Sequence, residues 1–312
     1  DRNGKVCQEG GIYYIQENDV SVTGMIDRAK LAKGYITDEY LKPYAIFKSD
    51  MKDTYVDEME ICSEFEEGIE KQEFQVFYQP VVDARNGKIV SAEALVRWLH
   101  EQKGFISPGH FIPALEKGGY ISQLDRYMIE KVTGCLNQRR TEGKRFVPVS
   151  VNLSWMDFYD ENMLEWIVRG LKKNNQNEQK IRFEITETSL AAIGENHTRM
   201  LTHLKENGAE ILLDDFGNGY SSFGMLQDYD FDILKMDISF VRNIGVNKKS
   251  ESILRAIIDM AHQLEIRLVA EGAETEEQVA FLRANGCDYI QGYYYYKPMP
   301  EVEFLQLLEE GK

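Results

Sequence analysis

From about residue 72 onward, apolar runs of strand length alternate with amphipathic stretches of helical spacing, and this rhythm limits the folds open to the chain. Eight such runs can be counted: Phe74–Val82, Ile89–Trp98, Phe146–Leu153, Ile181–Thr186, Glu210–Asp214, Ile233–Met236, Arg267–Ala270 and Tyr289–Tyr293. Helical patterns fall at Ser122–Arg139, Met156–Lys173, Asn196–Asn207, Ser250–Leu264, Thr275–Asn285 and Pro300–Glu309. Such alternation implies βα units and a mainly parallel sheet. Eight strands in about 240 residues predict an α/β fold of the (β/α)8 TIM-barrel type. One connection breaks the rhythm. Only Asp83-Ala84-Arg85-Asn86-Gly87-Lys88 separates the first two runs, a hairpin turn too short for a crossover helix. The first strand is therefore expected to be antiparallel and the barrel a modified one.

Residues 1–55 read differently, as a small N-terminal α+β fragment. Gly10-Gly11-Ile12-Tyr13-Tyr14 has the look of a short strand. Val22–Gly34 has helical spacing, with Met25, Ile26, Ala29, Leu31 and Ala32 as its candidate buried face. The Glu-rich stretch 56–71 reads as a linker helix, leaving 72–312 as the barrel domain.

Strands buried on both faces should be nearly all apolar. Here they carry polar residues towards their C-terminal ends: Glu93, Asn152, Glu184, the pair Asp214-Asp215, Lys235 with Asp237 just beyond, Glu271 with Glu274 behind it, and Gln291. The C-terminal rim of a barrel is where active sites are built, so these side chains are expected to converge. A lone carboxylate at a strand end more often caps the next helix. Seven successive strand ends of this chemistry are not explained that way. Carboxylates gathered in one cleft need compensating cations. All-oxygen donors favour Mg²⁺ or Mn²⁺ over zinc. Adjacent Asp214 and Asp215 suit two neighbouring ions, as in two-metal phosphoryl transfer. The loop Asp215-Phe216-Gly217-Asn218-Gly219-Tyr220-Ser221-Ser222 follows at once, its glycines permitting a tight and switchable turn.

Composition narrows the partners. The formal net charge of −16 opposes a long nucleic acid, although a small phosphodiester can bind where metal ions invert the local field. Cys7, Cys62, Cys135 and Cys287 are scattered without a CxxC pair, which suits a reducing cytoplasm. The histidines His100, His110, His197, His203 and His262 show no metal-ligand spacing. The run Tyr293–Tyr296 reads as the end of strand eight packed under the last helix. No apolar run approaches the roughly 18 residues a membrane helix needs. The chain begins at Asp1, as expected of a fragment whose upstream part could anchor it to a membrane.

With these residues in view, Glu93-Ala94-Leu95-Val96-Arg97-Trp98 resembles the signature of the EAL domains, the cyclic di-GMP phosphodiesterases. The resemblance continues in order through Tyr78-Gln79-Pro80, Phe111-Ile112-Pro113, Val151-Asn152-Leu153-Ser154, Glu184-Ile185-Thr186-Glu187, Asp214-Asp215-Phe216-Gly217, Lys235-Met236-Asp237, Ala270-Glu271-Gly272 and Gln291-Gly292. It implies that Glu93, Asn152, Glu184, Asp214 and Asp215 hold two divalent metal ions, Mg²⁺ or Mn²⁺. Lys235 would orient or deprotonate the attacking water, Glu271 would join the metal and water network, and Gln291 would position substrate or water. Leu95 and Arg97 would contact the dinucleotide, with Gln79, Asp237 and Glu274 as further substrate-binding positions. Glu187 would anchor the loop Phe216–Ser222, which in this family links the metal site to a homodimer interface. The implied reaction is hydrolysis of cyclic di-GMP to linear pGpG; the alternative is a silent receptor for the same ligand. Asn218 stands where Thr is frequent and Ala273 where Val is frequent, and neither removes a ligand. Residues 1–55, with Gly11-Ile12-Tyr13 and Ala29-Lys30-Leu31-Ala32-Lys33, resemble the C-terminal part of a GGDEF (diguanylate cyclase-like) domain that lacks its signature.

Overall fold

The computed structural model describes residues 9–16, 19, 21–36, 42–174, 181–193, 197–217 and 222–311. Two short parallel strands, β1 (Gly10–Ile12) and β2 (Tyr44–Ile46), flank the helix Val22–Lys33. That helix starts where expected, capped by the Ser21 side chain, which accepts from Gly24 N. Of its candidate buried residues Ala32 is fully buried, whereas Ile26 lies exposed. The connecting helix spans Ser49–Glu70, so it takes in residues assigned above to the N-terminal fragment.

Ten further strands follow. They are β3 (Phe74–Asp83), β4 (Ile89–His100), β5 (Gly104–Ile106), β6 (Val149–Asn152), β7 (Ile181–Thr186), β8 (Glu210–Phe216), β9 (Ile233–Met236), β10 (Arg267–Glu271), β11 (Tyr289–Gln291) and β12 (Met299–Pro300). Strands β4, β6, β7, β8, β9, β10 and β11 pair in parallel in that order, and β3 closes the ring antiparallel to both β4 and β11. This is the modified barrel anticipated from the Asp83–Lys88 turn, where Gly87 takes a φ of 69°. The third strand starts at Val149, after Pro148, rather than at Phe146. The eighth ends at Gln291; Tyr293, Tyr294 and Tyr295 form a turn, with Tyr293 and Tyr294 exposed, so the tyrosine run is not the end of the strand.

Outside the barrel, helices bury one stripe each. Lys248–Gln263 buries Leu254, Ile257, Ile258 and Ala261, the spacing of one helical face. Glu276–Ala284 starts with a capping box between Thr275 and Gln278. The stretch expected as one helix over 156–173 is instead a 3₁₀ turn, Trp155–Tyr159, then a separate helix, Glu161–Asn174. Among the described residues no helix is long and apolar enough to cross a membrane.

Two cores matter for the site. The main one lies between barrel and outer helices. A second gathers Ile61 and Phe65 of the connecting helix, Phe74 and Trp98 of the β3–β4 hairpin, and Phe111 and Leu115 of the helix Pro108–Gly118. Within the barrel, side chains two apart share a face. Leu212, Ile233, Val269 and Val81 form a small apolar plug there. On one side of the plug Glu210 pairs with Arg182 at 2.6 Å and Arg267 at 3.3 Å. On the other side lie Asp214, Lys235 and Glu271, each two residues further along its strand.

Candidate functional site

Lys235 is the centre of the polar layer above the plug. It is 2% exposed, and its Nζ lies 2.5 Å from Glu184 Oε2, 2.7 Å from Glu271 Oε1, 3.2 Å from Glu93 Oε2 and 3.3 Å from Asp214 Oδ1. These groups come from four different strands besides its own, and strand alternation aims all of them into the barrel mouth. Asn152 Nδ2 donates to Glu93 Oε1 at 3.4 Å. Gln291 Nε2 donates to Glu93 Oε2 at 2.6 Å and to Gln79 Oε1 at 3.2 Å, while Gln79 Nε2 donates to the Tyr296 carbonyl. The structure thus brings together Glu93, Asn152, Glu184, Asp214, Lys235, Glu271, Gln291 and Gln79.

Asp215 joins them by a device the sequence pattern did not disclose. Neighbours in a strand point to opposite faces, so Asp214 and Asp215 should not both face the mouth. Between Leu213 and Phe216, β8 carries one residue more than β9 opposite it, a β-bulge. Asp215 sits in it with a φ of 57°, in the left-handed region. Its carboxyl then lies within the field of Asp214, Asp237 and Lys235.

The remaining positions are more peripheral. Asp237 is buried, and its carboxylate caps the helix Ile238–Arg242 by accepting from Ser239 N at 2.8 Å. Glu274 is exposed in the loop after β10. Leu95 faces Phe77 across the hairpin. Arg97 is half-buried, its guanidinium 5.8 Å from the Phe77 ring centre and donating to the Val96 carbonyl at 2.8 Å. Glu187 starts the helix Glu187–Ile193, and its Oε2 accepts from Gly217 N at 3.3 Å. The loop residues 218–221 lie outside the described residues.

The electrostatics show a shortage of positive charge. Burial opposes the charge on Lys235, but Asp214, Glu184, Glu271 and Glu93 outweigh it and hold the ammonium well above its usual range. Burial also works against Glu93, yet Lys235, Gln291 and Asn152 keep its carboxyl below the ordinary value. The other carboxyls go the other way. Burial, reinforced by the charge on Glu93, drives Glu184 well above the carboxylate range. Burial raises Asp214 against the pull of Lys235, and burial with Asp214 raises Asp215. Burial pushes Glu271 up to about 8, with Asp214 and Glu93 adding to it and Lys235 opposing. One ammonium does not neutralise five carboxyls, and burial with mutual repulsion raises four of them.

Divalent cations would supply the missing charge. The donors are oxygens throughout, which suits hard ions such as Mg²⁺ or Mn²⁺. Gln291 Oε1 is a buried acceptor with no partner among the described residues. Among those residues no three His, Cys, Asp or Glu side chains are grouped as a metal holds them; Lys235 stands at the point where the acids converge. By charge and donor type the set fits the ions.

A family model described as the EAL domain matches residues 63–298. The chain is 32% identical over 253 residues to the cyclic di-GMP phosphodiesterase NbdA of Pseudomonas aeruginosa, covering 81% of this chain and 32% of that protein. It is 33% identical over 240 residues to the probable cyclic di-GMP phosphodiesterase PdeG of Escherichia coli, covering 77% and 47%. The solved structure of the PaMucR phosphodiesterase in its c-di-GMP complex matches with a TM-score of 0.72 at 30% identity, over 78% of this chain and 99% of that one. The chain spans less than half the length of the curated relatives named here.

Proposed function

The chain belongs to the EAL domain family, and on that premise we propose that it is a metal-dependent phosphodiesterase that opens cyclic di-GMP to linear pGpG. The observation that carries the proposal is the convergence of Glu93, Glu184, Asp214 and Glu271 on one buried lysine at the barrel mouth. Relatives named as cyclic di-GMP phosphodiesterases support the substrate.

Glu93, Asn152, Glu184, Asp214 and Asp215 would hold two divalent ions. When bound, these ions polarise the scissile phosphodiester and lower the pKa of water. The protein supplies the rest. Lys235 orients the attacking water and stabilises negative charge as it develops. Gln291 Oε1 accepts a hydrogen bond from water or substrate. Glu271, with its raised carboxyl, exchanges protons with that network. Arg97, at the mouth, pairs with a phosphate. Leu95, Gln79, Asp237 and Glu274 line the approach of the dinucleotide. Water adds to phosphorus, the bond from phosphorus to the 3′ oxygen breaks, and that oxygen leaves with a proton.

Glu187 tethers the start of the loop after β8, which supports a role for that loop in coupling the site to a homodimer interface. Residues 1–55 are proposed to be the end of a GGDEF-like domain. The free Cys62, Cys135 and Cys287 suit a cytoplasmic setting.

The test is incubation of purified protein with cyclic di-GMP in Mg²⁺ or Mn²⁺, and again in EDTA. Metal-dependent formation of pGpG is expected. Tight binding without turnover makes the chain a receptor instead, and preference for an unrelated phosphodiester overturns the substrate assignment.

A further inference from the structure

Two buried acids outside the lysine-centred cluster require an explanation. Asp125 lies in the second turn of the helix Ile121–Thr141, and Asp157 in the 3₁₀ turn Trp155–Tyr159. Asp125 is 8% exposed and Asp157 is wholly buried. Both aim an Oδ2 at one donor, the backbone N–H of Ser154, at 3.1 and 3.0 Å. A single carboxylate suffices to cap that N–H. A second one, buried beside it, adds repulsion and desolvation that call for some return.

The groups facing the pair are few. Ser122 comes from the helix of Asp125, Ser154 from the loop, and each acid faces the other. Among the described residues neither acid forms an ion pair with Lys, Arg or His. Asp157 Oδ1 is buried and accepts from no described donor. Two adjacent carboxylates without a cation do not both ionise. A proton on Asp125, donated to Asp157, supplies the missing donor and removes the repulsion. The electrostatics agree: burial and the charge on Asp157 hold the Asp125 carboxyl well above its usual range. Burial raises Asp157 as well, with the hydrogen bond from Asp125 working against it.

The position of the clamped N–H gives the pair its purpose. Ser154 is the second residue after Asn152. Leu153 N, between them, donates to the Glu184 carbonyl at 2.9 Å. Asn152 Nδ2 reaches Glu93 Oε1. The chain leaving β6 is therefore held at two successive N–H groups, and Asn152 is delivered from a fixed backbone to the acid cluster.

We propose that Asp125 and Asp157 form a carboxylic acid–carboxylate pair that acts as a positioning device for Asn152. The inference rests on the reading that Asn152 belongs to the working site, but the protonation of the pair is testable without substrate or metal. A raised carboxyl pKa in the fold favours folding at low pH. That contribution is lost as pH rises from the ordinary Asp value through the folded value. Asp125→Asn keeps the shape and the donor but has no proton to titrate.

The experiment measures unfolding free energy against pH for wild type, Asp125→Asn and Asp125→Ala. In parallel it records the Asn152 side-chain amide signals by NMR and the split of kcat and KM. Wild type is expected to lose stability with rising pH more steeply than Asp125→Asn, by one bound proton per molecule. Asp125→Asn should keep the Asn152 signals and near-normal kcat. Asp125→Ala should shift those signals and lower kcat roughly 10- to 100-fold with little change in KM. Equal pH slopes for wild type and Asp125→Asn overturn the shared proton. Unmoved Asn152 signals in Asp125→Ala, or in Asp125→Ser should the alanine variant not fold, overturn the positioning role. If wild type does not turn over cyclic di-GMP, both readouts still decide the inference.

Discussion

At the scale of single residues, Lys235 is the group on which the charge balance depends and, in the proposed reaction, the chemistry as well. It is buried among four acids, so removing it leaves charge that protons must neutralise. Lys235→Met is expected to lower turnover by about 10²- to 10³-fold. In EDTA it should also lower stability, by about 3–5 kcal/mol. Turnover within tenfold of wild type would remove Lys235 from the mechanism. The bulge residue gives a complementary prediction. Asn tolerates the left-handed region far better than a β-branched residue does. Asp215→Asn should therefore fold like wild type and lose activity, whereas Asp215→Val should also lose about 1–2 kcal/mol of stability. Chemical unfolding beside an activity assay separates the two effects. These residues were legible to different degrees. Charged residues in otherwise apolar strands marked Glu93, Glu184 and Lys235, because nothing else explains them there. The bulge that turns Asp215 to the same side as Asp214 has no signal in composition, since a non-glycine at positive φ is set by the strand pairing around it. Asp237 lies within the field of Asp215 and also caps the helix that follows, a second bond that spacing alone does not show.

At the scale of elements, the β3–β4 hairpin is the link between the site and the rest of the chain. β4 carries Glu93 and Arg97, then continues to Trp98 and His100 under the connecting helix. Trp98 Nε1 donates to Glu73 Oε2 at 2.9 Å. Lys103, in the turn beyond, pairs with Glu60 and Glu64 of that helix at 2.6 Å each. The helix approaches the hairpin closely at Gly68, where a Cβ would stand 2.9 Å from Phe74 Cε2 and 3.4 Å from Trp98 Nε1. Both rings are fully buried and cannot move aside cheaply. Gly68→Ala is expected to cost about 1–3 kcal/mol, read by urea unfolding. An unchanged midpoint would mean that the helix is not seated on the hairpin. The antiparallel first strand could be read from the Asp83–Lys88 turn because six residues leave no room for a crossover. The helix Pro108–Gly118 escaped notice because Pro113 lies inside it and argues against a helix locally, although Pro108 suits a first turn. Packing of Phe111 and Leu115 into the second core outweighs that local preference.

At the scale of the whole molecule, charge sets the terms. The chain carries a formal −16, and its barrel mouth holds five acids around one lysine. A divalent ion bound there relieves local repulsion only in the folded state, because the unfolded chain has no such cluster. Binding to the folded state alone stabilises it by mass action, by about 2.7 kcal/mol at a hundredfold excess over Kd. For a domain of this size each kcal/mol moves Tm by roughly 2–4 °C. Millimolar Mg²⁺ or Mn²⁺ is therefore expected to raise Tm by about 5–10 °C over EDTA. Equal ionic strength from NaCl should reproduce little of this, since screening acts on exposed charge and only weakly on the buried cluster. Asp214→Asn should fold in EDTA and lose most of the shift, which ties the effect to the mouth rather than to the acidic surface. Identical Tm in EDTA and in excess Mg²⁺ and Mn²⁺ would sink the two-metal reading. The surplus acids would then be neutralised by protons alone, and the barrel would act through binding rather than hydrolysis.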